Sequence, residues 1–160
     1  MMHLKNLSMI QFRPIPKWVV GMLFGVAGIG FADATYLTVN HFSTFSLPCL
    51  IGSCEVVLRS SYSEFFGIPV ALFGAIYYLV VLAILFYYID TKHPERKPIA
   101  FKTALFLTPV GMIASLYFFV VQAFVLHAFC QFCLISALTS TLLFIIARFV
   151  FLKLRLPRLG

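Results

Sequence analysis

Charged residues are scarce in this sequence. Lysine, arginine, aspartate and glutamate make up 11% of the 160 residues, and only 5 residues are acidic. Hydrophobic residues account for 62% of the chain, whereas a soluble domain is about half apolar and a quarter charged. This composition excludes an ordinary soluble domain and indicates an integral membrane protein.

The sequence also lacks an internal repeat, a low-complexity tract and a nucleic-acid recognition motif. Its net charge of +7 is not accompanied by a basic stripe with interleaved aromatic residues, as a nucleic-acid-binding surface would require. The basic residues therefore need another explanation, which membrane topology supplies.

Four stretches are long and apolar enough to cross a bilayer, which takes about 20 residues per helix. They leave little chain for a further domain. We therefore predict an all-α integral membrane fold: a single domain, residues 1–160, forming a four-transmembrane-helix bundle with an outer loop. The predicted spans are residues 18–39, 67–89, 101–126 and 129–152.

The distribution of basic residues predicts the orientation. Eleven of the twelve Lys and Arg residues lie before the first span, in or next to the link between the second and third, or at the end of the fourth, and only Arg59 lies on the other side. Basic loops stay in the cytoplasm, so both termini are predicted to be cytoplasmic. The +7 charge then needs no nucleic-acid partner.

The N-terminal region also resembles a secretory signal peptide. A basic leader and an apolar run precede Ala32, Asp33 and Ala34, which imitate a cleavage site. However, the apolar character continues to Val39, giving a segment that is long enough to span the membrane. We therefore favour retention of this segment as the first helix.

The loop at residues 40–66 is the only extended one on the outer side. Its 54–61 stretch contains neither glycine nor proline, and Val56, Val57 and Leu58 are apolar. Such a segment is predicted to form a short helix that lies on the membrane surface as a lid.

The four cysteines all fall in segments predicted to lie on the outer side. Cys49 and Cys54 are in the long loop, whereas Cys130 and Cys133 form a Cys-x-x-Cys motif at the start of the fourth span. Unpaired N–H groups at a helix N-terminus stabilise a thiolate, so the pKa of Cys130 is expected to be low. Two pairs at different depths predict a thiol–disulfide relay, in which the outer pair exchanges with a client protein and then with the inner pair.

Two other interpretations of the cysteines remain open. They could form structural disulfides in an oxidising compartment, or a zinc site with His41 or His127 as further ligands. A structural disulfide leaves the pair at membrane depth unexplained, and zinc would need all four thiols reduced. We favour the relay, whose electrons need a lipid-soluble acceptor in a chain that is nearly all membrane.

Three polar residues lie within or beside the predicted spans. Asp33 is costly in a membrane and usually has a function there; it could relay protons to the reduced lipid-soluble acceptor or hydrogen-bond to a neighbouring helix. Gln122 is expected to link helices by hydrogen bonds. His127 could stabilise a Cys130 thiolate, although we favour an ordinary interfacial histidine.

Several ordered motifs resemble bacterial homologues of the vitamin K epoxide reductase family. The resemblance covers about residues 18–150 and implies a four-helix bundle that binds a quinone beneath a loop lid. Quinone oxidoreductases of the DsbB type differ because they carry Cys-x-x-Cys in the first outer loop. The matching segments are Asp33-Ala-Thr-Tyr-Leu-Thr-Val-Asn40, the cysteines Cys49 and Cys54, Ser60-Ser-Tyr62, Phe66-Gly-Ile-Pro69 with Ala71 and Gly74, and Cys130-Gln-Phe-Cys133.

The resemblance implies a role for each cysteine. Cys49 would exchange with a periplasmic DsbA-like or thioredoxin-like protein, Cys54 would react with Cys130, and Cys133 would pass electrons to ubiquinone or menaquinone. Ser60 matches a loop hydroxyl near the quinone, although it could equally cap a helix end. The implied location is the bacterial inner membrane. Many members of the family carry a fused thioredoxin-like domain that is not seen here, so the expected partner is a separate protein.

Two departures from the family pattern bear on the substrate. Animal enzymes contact the quinone through an Asn on the second helix and a Tyr after the Cys-x-x-Cys motif, whereas Val70 and Ala137 occupy those places here. We therefore do not expect reduction of an epoxide, which needs a placed proton donor. The four-residue gap between Cys49 and Cys54 is also shorter than usual.

Overall fold

The computed structural model describes residues 15–43, 49, 52–93 and 96–155. Lys5, Arg13, Arg158 and Pro94, on which parts of the predicted topology depend, lie outside these residues. The elements in chain order are α1 (Lys17–Phe42), α2 (Cys54–Leu58), β1 (Glu64–Phe65), β2 (Ile68–Pro69), α3 (Val70–Asp90), α4 (Lys97–Val120), a π-helical segment (Val121–Leu126) and α5 (Gln131–Arg155).

The four long helices confirm the predicted four-helix membrane bundle. Segments of sufficient length and apolar composition to cross a bilayer run over Lys17–Phe42, Val70–Asp90, Lys97–Leu126 and Gln131–Lys153. Large apolar side chains cover their outer surface; for example, Phe106 is 81% exposed and Ile113 is 68% exposed. A soluble monomer rarely exposes so much contiguous apolar surface, so this exterior suits lipid.

The helices close into a ring. α1 packs against α3 and α5, and α4 packs against the same two neighbours. Small residues allow close approaches: a Cβ atom at Gly30 of α1 would overlap the ring of Tyr78, and one at Gly111 of α4 would overlap Tyr77. Both tyrosines lie on α3, so these two glycines determine how closely α3 is held between α1 and α4.

The core is continuous from the middle of the bundle to the end that carries the basic residues. Buried side chains of α1, such as Leu23, meet Tyr88 of α3 and Phe101 of α4. At that end the Tyr88 hydroxyl accepts a hydrogen bond from the backbone N–H of Ile15 at 3.1 Å. This contact supplies a partner to a buried N–H group just before α1 begins.

A proline lies inside α4 without interrupting it. Pro109 has no N–H, so the carbonyl of Leu105 cannot receive its usual helical hydrogen bond. The hydroxyl of Thr108 donates to that carbonyl at 3.1 Å. The neighbouring side chain thus replaces the lost bond within the membrane, where an unpaired carbonyl is costly.

The opposite end of the bundle, here called the cysteine end, carries the long loop. The predicted lid helix is present as α2, although it covers Cys54–Leu58 rather than residues 54–61. β1 and β2 then form a two-residue antiparallel hairpin. Because β2 includes Pro69, α3 begins at Val70 and not at residue 67, and the N–H of Val70 donates to Ser63 at 2.9 Å.

Candidate redox site

The loop cysteines are joined. Cys49 and Cys54 form a disulfide whose Cα atoms lie 6.1 Å apart. Cys54 is the first residue of α2 and is 1% exposed, whereas Cys49 is only partly buried. Cys49 is therefore the sulfur of this pair that a second protein reaches more easily.

The inner cysteines are both free thiols. Cys130 directly precedes α5 and is fully buried, and Cys133 lies one turn further along the helix. The thiol of Cys133 hydrogen-bonds to Cys130, and this bond lowers the pKa of Cys130 to about 7 against the opposing effect of burial, with help from the backbone N–H groups of Cys133 and Phe132. A lowered pKa was predicted from the helix N-terminus alone, but the larger contribution comes from the Cys133 side chain.

The loop and the helix meet at the two buried cysteines. Gly52 forms an isolated antiparallel bridge with Cys130, and the N–H of Ser53 donates to the carbonyl of Phe129 at 3.0 Å. Cys54 and Cys130 then share one buried cluster with Val57. The backbone pairing thus places one cysteine of each pair side by side.

Gly52 allows this close pairing. Its φ of +95° suits glycine, and a Cβ atom there would overlap the carbonyl oxygen of Phe129. Both its conformation and its contact therefore exclude a side chain, so the approach of the loop to residues 129–130 depends on this residue.

The turn before α5 is held by Gln122. Its side-chain Oε1 accepts a hydrogen bond from the N–H of Cys130 at 2.8 Å, and its backbone carbonyl accepts one from Ala128 at 3.2 Å. His127 between them is exposed and left-handed, with φ of 48°. The prediction that Gln122 links helices is confirmed, because it ties the π-helical segment to the start of α5.

A cavity of about 280 Å³ lies between the four helices and beneath α2. Cys133 lines it, as do Ser60 from the loop and Tyr77 from α3. Its volume is near the lower end of the range for small-molecule sites, which are mostly apolar with a few polar groups. The Tyr77 hydroxyl is buried and has no hydrogen-bond partner among the described residues, so a ligand with an acceptor oxygen would suit this wall.

Ser60 lies at the cavity but its proton is already engaged. Its hydroxyl donates to the carbonyl of Val57 at 2.7 Å, just after the end of α2. This is the capping role considered as the alternative from the sequence. The Ser60 oxygen keeps its lone pairs, so towards a ligand in the cavity it can act only as an acceptor.

Asp33 is buried in α1 near the cysteines and does not line the cavity. Its carboxylate lies close enough to Cys130, Cys133 and Tyr78 to interact electrostatically with each of them. One of its oxygens, Oδ2, has no hydrogen-bond partner among the described residues. The structure therefore places this acid beside the inner cysteine pair.

The comparison with protein families agrees with this arrangement. The model of the vitamin K epoxide reductase family matches residues 21–148, a range that contains all four cysteines. The chain belongs to this family. A search of curated proteins found no match. Family membership makes the protein a multi-pass membrane oxidoreductase, in a family whose chemistry links disulfides and quinones.

The two positions that depart from the animal vitamin K epoxide reductases both face the cavity. Val70 and Ala137 are among its lining residues, so the polar groups of the animal enzymes are replaced by apolar ones. Tyr77 was not predicted from the sequence. It is one of 26 Phe and Tyr residues, and only the packing against Gly111 distinguishes it.

A polar contact between His41 and Glu64 connects the hairpin to the end of α1. Nε2 of His41 lies 3.2 Å from Oε1 of Glu64, and His41 also lines the cavity. Among the described residues there is no group of three or more His, Cys, Asp or Glu side chains placed to hold a metal ion.

Proposed function

We propose that this protein is a membrane enzyme that oxidises a periplasmic thioredoxin-fold protein, of the DsbA-like or thioredoxin-like kind, and transfers the electrons to a quinone. The observation that supports this most is the shared burial of Cys54 and Cys130 next to a cavity that Cys133 lines. The arrangement connects the loop disulfide with the proposed quinone site inside the membrane.

The first step takes place at the loop. A thiolate of the reduced partner attacks Cys49, the more accessible sulfur, and Cys54 leaves. The second thiol of the partner then displaces Cys49. The partner gains a disulfide, and Cys49 and Cys54 become thiols, so two electrons and two protons have moved to this protein.

The second step passes the electrons inward. Cys54 attacks Cys130 of an oxidised inner pair and releases Cys133. Cys49 then attacks Cys54, which restores the loop disulfide and releases Cys130 as a thiolate. The low pKa of Cys130 favours this release, since a thiol of low pKa leaves faster.

The last step returns the inner pair to the disulfide. A quinone in the cavity supplies an acceptor for two electrons and two protons and becomes a hydroquinone. Cys133 faces the cavity. As the quinone is reduced, Cys130 and Cys133 form a disulfide with each other. Asp33 accepts and delivers protons beside the two thiols, and the Ser60 oxygen accepts a hydrogen bond from a hydroquinone hydroxyl.

Orientation follows from the distribution of charge. The described basic residues Lys17, Lys92 and Lys153 lie at the end opposite the cysteines. The positive-inside rule then places that end in the cytoplasm and the cysteines in the periplasm of a bacterial inner membrane. The thioredoxin-fold partner is therefore periplasmic, and ubiquinone or menaquinone is the acceptor.

The alternative of two structural disulfides is less well supported. A structural disulfide between Cys130 and Cys133 leaves unexplained why Cys133 lines a cavity. The relay gives that position a role.

Variants of single cysteines test the proposal. In purified protein with a reduced thioredoxin-fold protein and a short-tail ubiquinone, Cys133→Ala should abolish quinone reduction but still exchange once at the loop. Cys49→Ala should block the partner, whereas dithiothreitol still supports quinone reduction. Absorbance of the quinone measures quinone reduction, and alkylation of the partner's thiols measures exchange at the loop.

The matched control is Thr103→Ala, an exposed position on α4, which should match the wild-type rate. Full partner-driven quinone reduction by both cysteine variants would contradict the relay and favour structural disulfides.

A further inference from the structure

A buried amide side chain joins the cavity to the reactive cysteine. Gln122 is 2% exposed, and burying an amide costs free energy unless its polar atoms are hydrogen-bonded. Its partner at 2.8 Å is the backbone N–H of Cys130. Because that N–H can only donate, the amide atom facing it must be the oxygen Oε1, so the orientation of the amide is fixed.

This orientation determines what Gln122 offers to a ligand. With its oxygen bound to Cys130, its remaining polar group is the NH₂, which only donates. Gln122 lines the cavity and is the only side-chain amide among the described residues that do so. A quinone carbonyl oxygen accepts hydrogen bonds, so donor and ligand are complementary.

Several other hydroxyl donors at the cavity are already committed, whereas the Tyr77 hydroxyl has no partner among the described residues. Ser60 donates to Val57 and the hydroxyl of Ser140 donates to Ala137. The Tyr78 hydroxyl is bonded to Ser136 and Thr139. Val70 and Ala137 cannot donate at all. A quinone in this cavity therefore has few donors available, and Gln122 is the most deeply buried of them.

We propose that Gln122 binds the quinone, donating from its NH₂ to a headgroup carbonyl while its Oε1 positions the backbone of Cys130. This inference rests on the proposed function and adds a residue to it. One rigid amide then holds both the electron acceptor and the turn that carries Cys130. Cys133 lines the same cavity, so the bound headgroup shares a pocket with the cysteine that faces it.

The test replaces Gln122 with methionine, which has a similar length but makes no amide hydrogen bond. In a Cys133→Ala background, where no turnover occurs, Gln122→Met should weaken binding of a short-tail ubiquinone about tenfold by equilibrium dialysis. The infrared carbonyl band of bound ¹³C-labelled ubiquinone should move towards its position in an apolar solvent. With Cys133 present, the KM for quinone should rise about tenfold, while a single exchange at the loop disulfide keeps its rate.

The control is Val125→Met, which places the same side chain in the same π-helical segment at a position that is 50% exposed. It should bind quinone like the wild type. Unchanged affinity and an unchanged carbonyl band in Gln122→Met would overturn the inference. A parallel loss of loop exchange, thermal stability and quinone binding would also overturn it, since that pattern indicates a structural role. Absence of quinone reduction by the wild type would instead overturn the proposed function.

Discussion

At the scale of single residues, Cys130 combines complete burial with a pKa of about 7. Burial alone disfavours the thiolate, so hydrogen bonds from Cys133 and from backbone N–H groups outweigh the loss of water. This lowered pKa would make Cys130 a good leaving group in the proposed exchange with Cys54. The charge state of Cys130 therefore depends on the hydrogen bond from the Cys133 side chain.

This dependence predicts how Cys130 titrates. In the protein with its inner pair reduced, thiolate absorbance at 240 nm, corrected by subtraction of a Cys130→Ala trace, should rise with a midpoint near pH 7. Cys133→Ala removes the largest stabilising hydrogen bond, so the midpoint should move up towards or above the ordinary thiol value of about 8.5. An unchanged midpoint in Cys133→Ala would show that the side-chain bond does not set the pKa.

At this scale the sequence identified the four cysteines as candidate site residues, but it did not predict the side chains that surround them. Spacing alone marks Cys130-x-x-Cys133 as a redox motif, because both the residue type and the helical turn are visible. The bond from Cys130 to Gln122 depends on a π-helical turn and a left-handed His127, neither of which has a signal in the sequence. Tyr77 was missed for the same reason, since its role follows from packing against Gly111.

At the scale of elements, the proposed relay depends on the contact between the loop and the start of α5. Gly52 pairs with Cys130 and excludes a side chain. The other described glycine of this loop, Gly67, also has a positive φ, of 76°, but a Cβ atom there would meet open space. A side chain would strain the backbone at both positions, but only at Gly52 would it also overlap a neighbouring residue. Alanine variants at the two positions therefore form a matched pair.

We predict that Gly52→Ala impairs transfer from the loop to the helix. In a Cys49→Ala, Cys133→Ala background, Cys54 and Cys130 should form a trapped disulfide, because no thiol remains to resolve it. Gly52→Ala should reduce its yield several-fold, since the new methyl group pushes the loop away from Phe129. Peptide mass mapping measures the yield.

Gly67→Ala in the same background should leave the Cys54–Cys130 yield near that of the parent. An equal loss in both variants would attribute the effect to backbone strain and not to the docking of the loop. Absence of the cross-link in the parent itself would contradict direct exchange between Cys54 and Cys130.

The elements themselves were largely predictable. Long apolar runs identify the four spans because a bilayer imposes their length. The short helix α2 was predicted from an apolar run without glycine or proline, although it ends earlier, at Leu58. The hairpin before α3 was not predicted, since pairs of two-residue strands leave no periodic pattern.

At the scale of the whole molecule, the bundle separates two environments. The loop disulfide lies at the cysteine end, where the proposed soluble partner would reach Cys49, and the cavity lies among the helices, where the proposed quinone would bind. Composition predicted the bundle, and the family match confirms its class. The resemblance implied a ligand site beneath the loop, but the residues that line the cavity could not be predicted. They come from all four helices, whose relative rotation depends on contacts such as Gly30 with Tyr78.

If the proposed relay operates, electrons from all four cysteines reach a quinone. The most direct measurement is thiol trapping with mass spectrometry on fully reduced protein, held without oxygen, before and after addition of ubiquinone. The wild type should carry four alkyl labels before addition and none after, with two quinones reduced per protein, because each accepts two electrons. Cys133→Ala should keep its three labels throughout. Four labels on the wild type both with and without quinone would contradict the account.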